Sequence, residues 1–84
     1  MNPRVEYVFT AFDLATEFLT WESVIPDDDL PGVWAAADIT LPPWEMMNCW
    51  PLKPDQARAV ALILGREIEG SEAHYFVEAQ QRGA

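Results

Sequence analysis

Between Arg4 and Lys53 the chain contains no lysine and no arginine. The whole sequence has five basic residues against fourteen acids, a formal net charge of −9. That balance lacks the basic footprint of a nucleic-acid-binding domain and repels nucleic acid and anionic membranes. Cysteine is equally scarce. Cys49 stands alone and cannot close an intrachain disulfide. Small domains of oxidising compartments usually carry several bridges, so a cytoplasmic setting is expected. The longest unbroken apolar run is Ala59 to Leu64, far short of the roughly 20 residues that cross a bilayer. The opening MNPRVEYVF has no long apolar run and no cleavage pattern, so no secretory signal is expected. Only four glycines occur, none clustered, which excludes a glycine-rich phosphate loop. One cysteine and one histidine are too few for a zinc site.

Large apolar side chains, by contrast, are plentiful. The apolar fraction is 50% and the aromatic fraction 12%, with four tryptophans and four phenylalanines. Disordered segments lack such residues. The expectation is a single small acidic domain over residues 1–84.

Residues 4–11 (RVEYVFTA) alternate Val5, Tyr7, Phe9 and Ala11 with more polar positions, the pattern of a half-buried strand. A helix with Asn2 as its cap and Val5, Phe9 and Phe12 as its stripe competes, but β-branched residues favour the strand. Asp13 suits a helix N-cap, and Leu14, Phe18 and Trp21 then share a helical face, predicting a helix over about 13–23. IPDDDLPGV (25–33) reads as a turn, and WAAADITL (34–41) leans toward a strand. A short helix over Trp44–Cys49 would end at Pro51. The clearest periodicity is KPDQARAVALILGREIEG (53–70). It predicts a long helix over about 54–69, with Gln56 reaching back to the cap amide, Gly65 inside and Gly70 closing it. HYFVEAQ (74–80) reads as a last strand. The expected class is α+β: a two- or three-stranded sheet packed against the long helix and the shorter one.

Catalytic chemistry finds little support. His74 lies within an expected strand, and Cys49 has no base nearby in sequence. Asp27-Asp28-Asp29 lacks the alternate spacing, glycine and downstream glutamate of a calcium loop. No catalytic residue, cofactor or metal is expected.

Recognition is the better-supported class. Nine acids fall between Val5 and Leu52 without a single base. Trp44, Met46, Met47 and Trp50 crowd into LPPWEMMNCWPLKP (41–54), and one short helix cannot bury all four, so one pair is expected in the core and one at the surface. Tryptophan and methionine are favoured at interface centres. A row of carboxylates can imitate the regular phosphate charge of DNA. The candidate partner-binding residues are therefore Glu22, Asp27, Asp28, Asp29 and Asp38 as an electrostatic face, with Trp44, Glu45 and Trp50 as anchors. In size, charge and lack of catalytic groups the chain resembles the small acidic inhibitors of phages and bacteria: anti-CRISPR proteins, DNA mimics and nuclease immunity proteins. The resemblance implies a non-enzymatic inhibitor that covers the positively charged site of a Lys/Arg-rich nucleic-acid-binding protein or nuclease complex, without binding nucleic acid itself. The alternative is a small structural or adaptor module that self-associates, as a homodimer, through Trp44–Trp50 or through residues 74–80 as an open edge strand.

Overall fold

The computed structural model describes residues 4–42 and 49–82, with side chains for 5–42 and 49–80. The alternation near the N-terminus does form a strand, β1 (Arg4–Asp13). It is followed by β2 (Leu19–Val24), a 3-10 turn (Asp27–Asp29) leading into α1 (Leu30–Ala36), then β3 (Cys49–Leu52), α2 (Pro54–Ile63) and β4 (Ala73–Arg82). The four strands make one sheet in the order β2-β1-β4-β3, with every neighbouring pair antiparallel. No helix among the described residues is long and apolar enough to cross a membrane.

This corrects the expected architecture. The sheet has four strands, not two or three, and neither helix is long. Residues 13–23 are not a helix. The Asp13 carboxylate does accept backbone N–H groups, from Ala15 at 2.8 Å and Thr16 at 2.9 Å, but it caps a tight turn. Glu17 takes a left-handed φ of 62°, the Asp13 N–H returns to the Phe18 carbonyl at 2.9 Å, and the chain reverses into β2. Local side-chain to backbone bonding of this kind serves a turn as well as a helix end.

The helix expected over 54–69 begins where predicted. The Lys53 N–H donates to Gln56 Oε1 at 2.9 Å. It stops at Ile63, because Gly65 adopts φ 76° and terminates it. The Arg66 N–H reaches the Ala61 carbonyl at 2.8 Å and the Gly65 N–H the Leu62 carbonyl at 3.1 Å, the paired bonds of a Schellman closure. Residues 34–41, expected as a strand, instead contain the end of α1. Pro31 occupies its first turn, where no N–H is required. The short helix expected over Trp44–Cys49 lies outside the described residues except for Cys49, which opens β3.

Both helices pack on one face of the sheet. Phe9 and Ala11 of β1 and Tyr75 and Val77 of β4 meet Val33 and Ala37 from the α1 segment and Ala57, Val60 and Ala61 of α2. Phe9 is the centre. It stacks on Tyr75 at 5.4 Å and meets Trp21 edge-on at 5.4 Å, arrangements worth about 0.5–1.5 kcal/mol each beyond burial. Alanines at 57 and 61 let the α2 backbone approach the sheet closely.

Among the described residues the other face carries no helix. Register places its side chains in rows across the strands: Val24, Val8, Glu78 and Cys49; then Glu22, Thr10, Phe76 and Pro51; then Leu19, Phe12 and His74. Val8 and Thr10 are nonetheless fully buried. Gln80 Nε2 donates to Glu22 Oε2 at 3.3 Å. Gln80 pairs with Glu6 and Glu22 with Thr10, so their bond crosses β1 diagonally past Val8.

The Ile25 N–H donates to the Tyr7 carbonyl at 2.8 Å. By antiparallel alternation the odd residues of β1 then bond toward β2 and the even ones toward β4. Pro51, paired with Phe76, therefore sits where β4 asks it for no hydrogen bond, the position a strand proline can occupy.

Gly70 fixes the last loop. Its φ is 92°, and a Cβ there would lie 2.3 Å from the Pro54 carbonyl oxygen. Gly65 has positive φ but open space around it. Gly70→Ala should therefore destabilise the fold by more than about 1 kcal/mol and by clearly more than Gly65→Ala. Urea unfolding of both variants measures the difference, and equal losses would contradict the close approach.

Candidate functional site

The loop left behind when α2 stops at Ile63 carries Glu67, Glu69 and Glu72. Three ties hold it against the domain. Arg58 Nη1 donates to the Glu69 carbonyl at 3.2 Å, Gly70 abuts Pro54, and the Arg66 guanidinium lies over the Trp21 ring, 4.1 Å from its centroid. Opposite stands the end of the β1–β2 hairpin. Between them is an open depression of about 550 Å³, with Asp13, Glu67, Glu69 and Glu72 around Trp21 and Tyr75.

Its electrostatics follow from local bonding. Backbone N–H groups of Thr16 and Ala15 hold the Asp13 carboxyl below its ordinary range. The Tyr75 hydroxyl donates to Glu72 Oε1, which lowers the Glu72 carboxyl. Tyr75 itself is pushed up, first by burial and then by that bond. Both acids thus stay ionised to lower pH than usual. Among the described residues no three of His, Cys, Asp or Glu are grouped to hold a metal ion. The four carboxylates are spread around the aromatic floor, an arrangement suited to an extended cation such as a lysine or arginine side chain.

The residues singled out from sequence are distributed differently. Asp27, Asp28 and Asp29 form the turn before α1. Asp38 closes α1 with a left-handed φ of 55°. Its N–H bonds the Ala35 carbonyl at 3.2 Å and the Ile39 N–H bonds Trp34 at 3.0 Å, so Asp38 fills a position glycine would favour. Asp38 and Trp50 meet in a second depression of about 540 Å³, beside Lys53 and Gln56. Trp50 is half-buried and packs against the core. Glu22 projects from the helix-free face. Trp44 and Glu45 lie outside the described residues, as do Met46 and Met47. Cys49 and His74 both border one shallow pocket, but Cys49 pairs with Glu78, four positions along β4 from His74, or about 14 Å between backbones. They form no nucleophile–base pair.

Sequence reasoning missed Asp13, Trp21, Glu67, Glu69, Glu72 and Tyr75 as one cluster. Reading Gly65 as a helix stop would have exposed the Glu-rich REIEGSE segment as a loop.

The family described as Domain of unknown function (DUF7683) matches residues 6–78. The chain belongs to that family. The match runs from β1 through most of β4 and so includes every residue of the cleft. No curated protein and no solved structure matches the chain.

A tyrosine held above its unfolded value stabilises the fold fully below about pH 10 and loses that contribution as pH rises further. Tyr75→Phe should cost about 1 kcal/mol near neutrality, through the lost bond to Glu72, and should flatten the alkaline decline. The residual slope would come from Tyr7, also raised by burial. Thermal unfolding across neutral and alkaline pH, with Tyr7→Phe as comparison, reads both effects. In the same assay Asp38→Gly should raise stability by up to about 1 kcal/mol, by relieving the left-handed strain.

Proposed function

We propose that the protein is a non-catalytic binding module that neutralises a basic, nucleic-acid-binding surface on a partner protein. The observation that carries this reading is the cleft in which four carboxylates surround an aromatic floor already stacked by a guanidinium, that of Arg66. A partner arginine or lysine entering there gains charge-assisted hydrogen bonds from the rim and ring contact from the floor. The absence of any base between Arg4 and Lys53 extends the attraction beyond the cleft and speeds encounter with a cationic partner. Asp27, Asp28 and Asp29 add a second acidic projection beside α1. Of the candidate anchors, Trp50 borders the depression that it shares with Asp38, while Trp44 and Glu45 lie outside the described residues.

For the alternative of self-association, residues 74–80 are not an edge: β4 lies between β1 and β3, and among the described residues the edges of the sheet are β2 and β3.

Immobilised protein should capture basic nucleic-acid-binding proteins from its host at about 0.05 M salt and release them at about 0.5 M. Added DNA should compete. Glu67→Gln with Glu69→Gln should weaken capture several-fold, and Asp27→Asn, Asp28→Asn and Asp29→Asn together less so. Capture that ignores salt, DNA and both variants would refute the reading.

A further inference from the structure

We infer that the ligand of the cleft is an arginine side chain of the partner, and that it takes the place over Trp21 that Arg66 holds in the free protein. The inference rests on the reading of the cleft as a cation site and adds to it which cation enters and what must leave. The first ground is the platform. Trp21 is half-buried and fixed from the core, where Phe9 meets it edge-on at 5.4 Å and Tyr75 lies tilted at 5.9 Å. The Arg66 guanidinium lies 4.1 Å from its centroid, within stacking reach, so the chain itself shows a cation that this ring accepts. A guanidinium is planar and weakly hydrated. It can stack by its face while its in-plane N–H groups reach carboxylates among Asp13, Glu67, Glu69 and Glu72. A lysine ammonium is a compact, strongly hydrated charge and gains less from a ring face. Two of the acceptors are positioned before any ligand arrives: Asp13 by the N–H groups of Ala15 and Thr16, and Glu72 by the Tyr75 hydroxyl.

The second ground is how lightly the Arg66 side chain is held. Arg66 is exposed and follows Gly65, whose surroundings are open. Its backbone is anchored independently of the ring. The Arg66 N–H bonds the Ala61 carbonyl at 2.8 Å. Further along the loop Arg58 holds the Glu69 carbonyl and Gly70 abuts Pro54. The side chain can therefore swing off Trp21 while the loop keeps its position. A ring contact at an exposed site favours the stacked state by a factor of about two to five. The ring is then vacant roughly a sixth to a third of the time, and Arg66 weakens the entry of a partner arginine by about three- to sixfold. The internal arginine is thus a weak competitor. It turns away cations that gain only the ring, and it yields to one that also reaches the carboxylates.

The test uses the full chain, isotope-labelled for magnetic resonance, and two short peptides with blocked ends and neutral flanks, one with a single central arginine and one with lysine in its place. In the free protein the ring current of Trp21 should shift the Arg66 side-chain protons upfield. As the arginine peptide saturates the cleft, those signals should return to ordinary values while the amides of Glu67, Glu69 and Glu72 shift. The lysine peptide should bind several-fold more weakly. Arg66→Gln should tighten the arginine peptide by about threefold or more. Arg66→Lys keeps the charge and should tighten it by a smaller factor, which separates loss of a competitor from loss of a repelling charge. Four results would overturn this inference and leave the cleft standing as a cation site: binding there with the Arg66 signals unmoved, equal or tighter binding of the lysine peptide, weaker binding by Arg66→Gln, or an unchanged affinity of Arg66→Lys. No shift at Glu67, Glu69 and Glu72 with either peptide, in the natural chain and in Arg66→Gln alike, would overturn this inference and the reading of the cleft together.

Discussion

β1 pairs with β4 over ten consecutive positions while its other edge holds β2, and its side chains are buried on both sides of the sheet. On one side Phe9 and Ala11 anchor the aromatic and helical core. On the other Val8 and Thr10 are sealed although no helix among the described residues lies there, with Thr10 Oγ1 donating to the Phe76 carbonyl at 3.3 Å and Glu22 bonded to Gln80. A strand so occupied leaves no freedom of register, because a one-residue slip would exchange Phe9 for Thr10 beneath the helices. Every other placement follows from it: the hairpin end that carries Asp13, the loop opposite, and the rows of the outer face.

Parts of this were readable in advance. Strand β1, the start of α2 and strand β4 follow from alternation, from a proline with a capping glutamine, and from β-branched and aromatic content. The errors have a common cause. Asp13, Gly65 and the Ala-rich 34–37 segment each carry a local signal that fits two elements, and tertiary packing decides between them. The Asp13 carboxylate caps a turn as readily as a helix. Gly65 reads as an interior cost until its positive φ is known. The Leu14, Phe18, Trp21 spacing looks helical, yet Phe18 and Leu14 are exposed and only Trp21 turns inward to Phe9.

The acidic composition foretold a charged surface but not its location. Most of the described acids occupy three settings: the cleft around Trp21, the turn and end of α1, and the outer face of the sheet. A charge count has no direction, whereas a site needs carboxylates facing one another across something. That geometry arises only where the loop after α2 returns past the hairpin. The segment 66–72 gained its place through the Arg58, Gly70 and Arg66 contacts, none of which leaves a periodic trace in the sequence.

Pro51 bears on how molecules of this kind assemble. Its ring nitrogen faces away from β4, so the outer rim of β3 presents no donor at its middle position. A filament built by stacking sheets side by side needs both rims, each accepting the next molecule. With that rim interrupted, side-by-side growth through β3 is disfavoured, which guards the fold against runaway fibre formation.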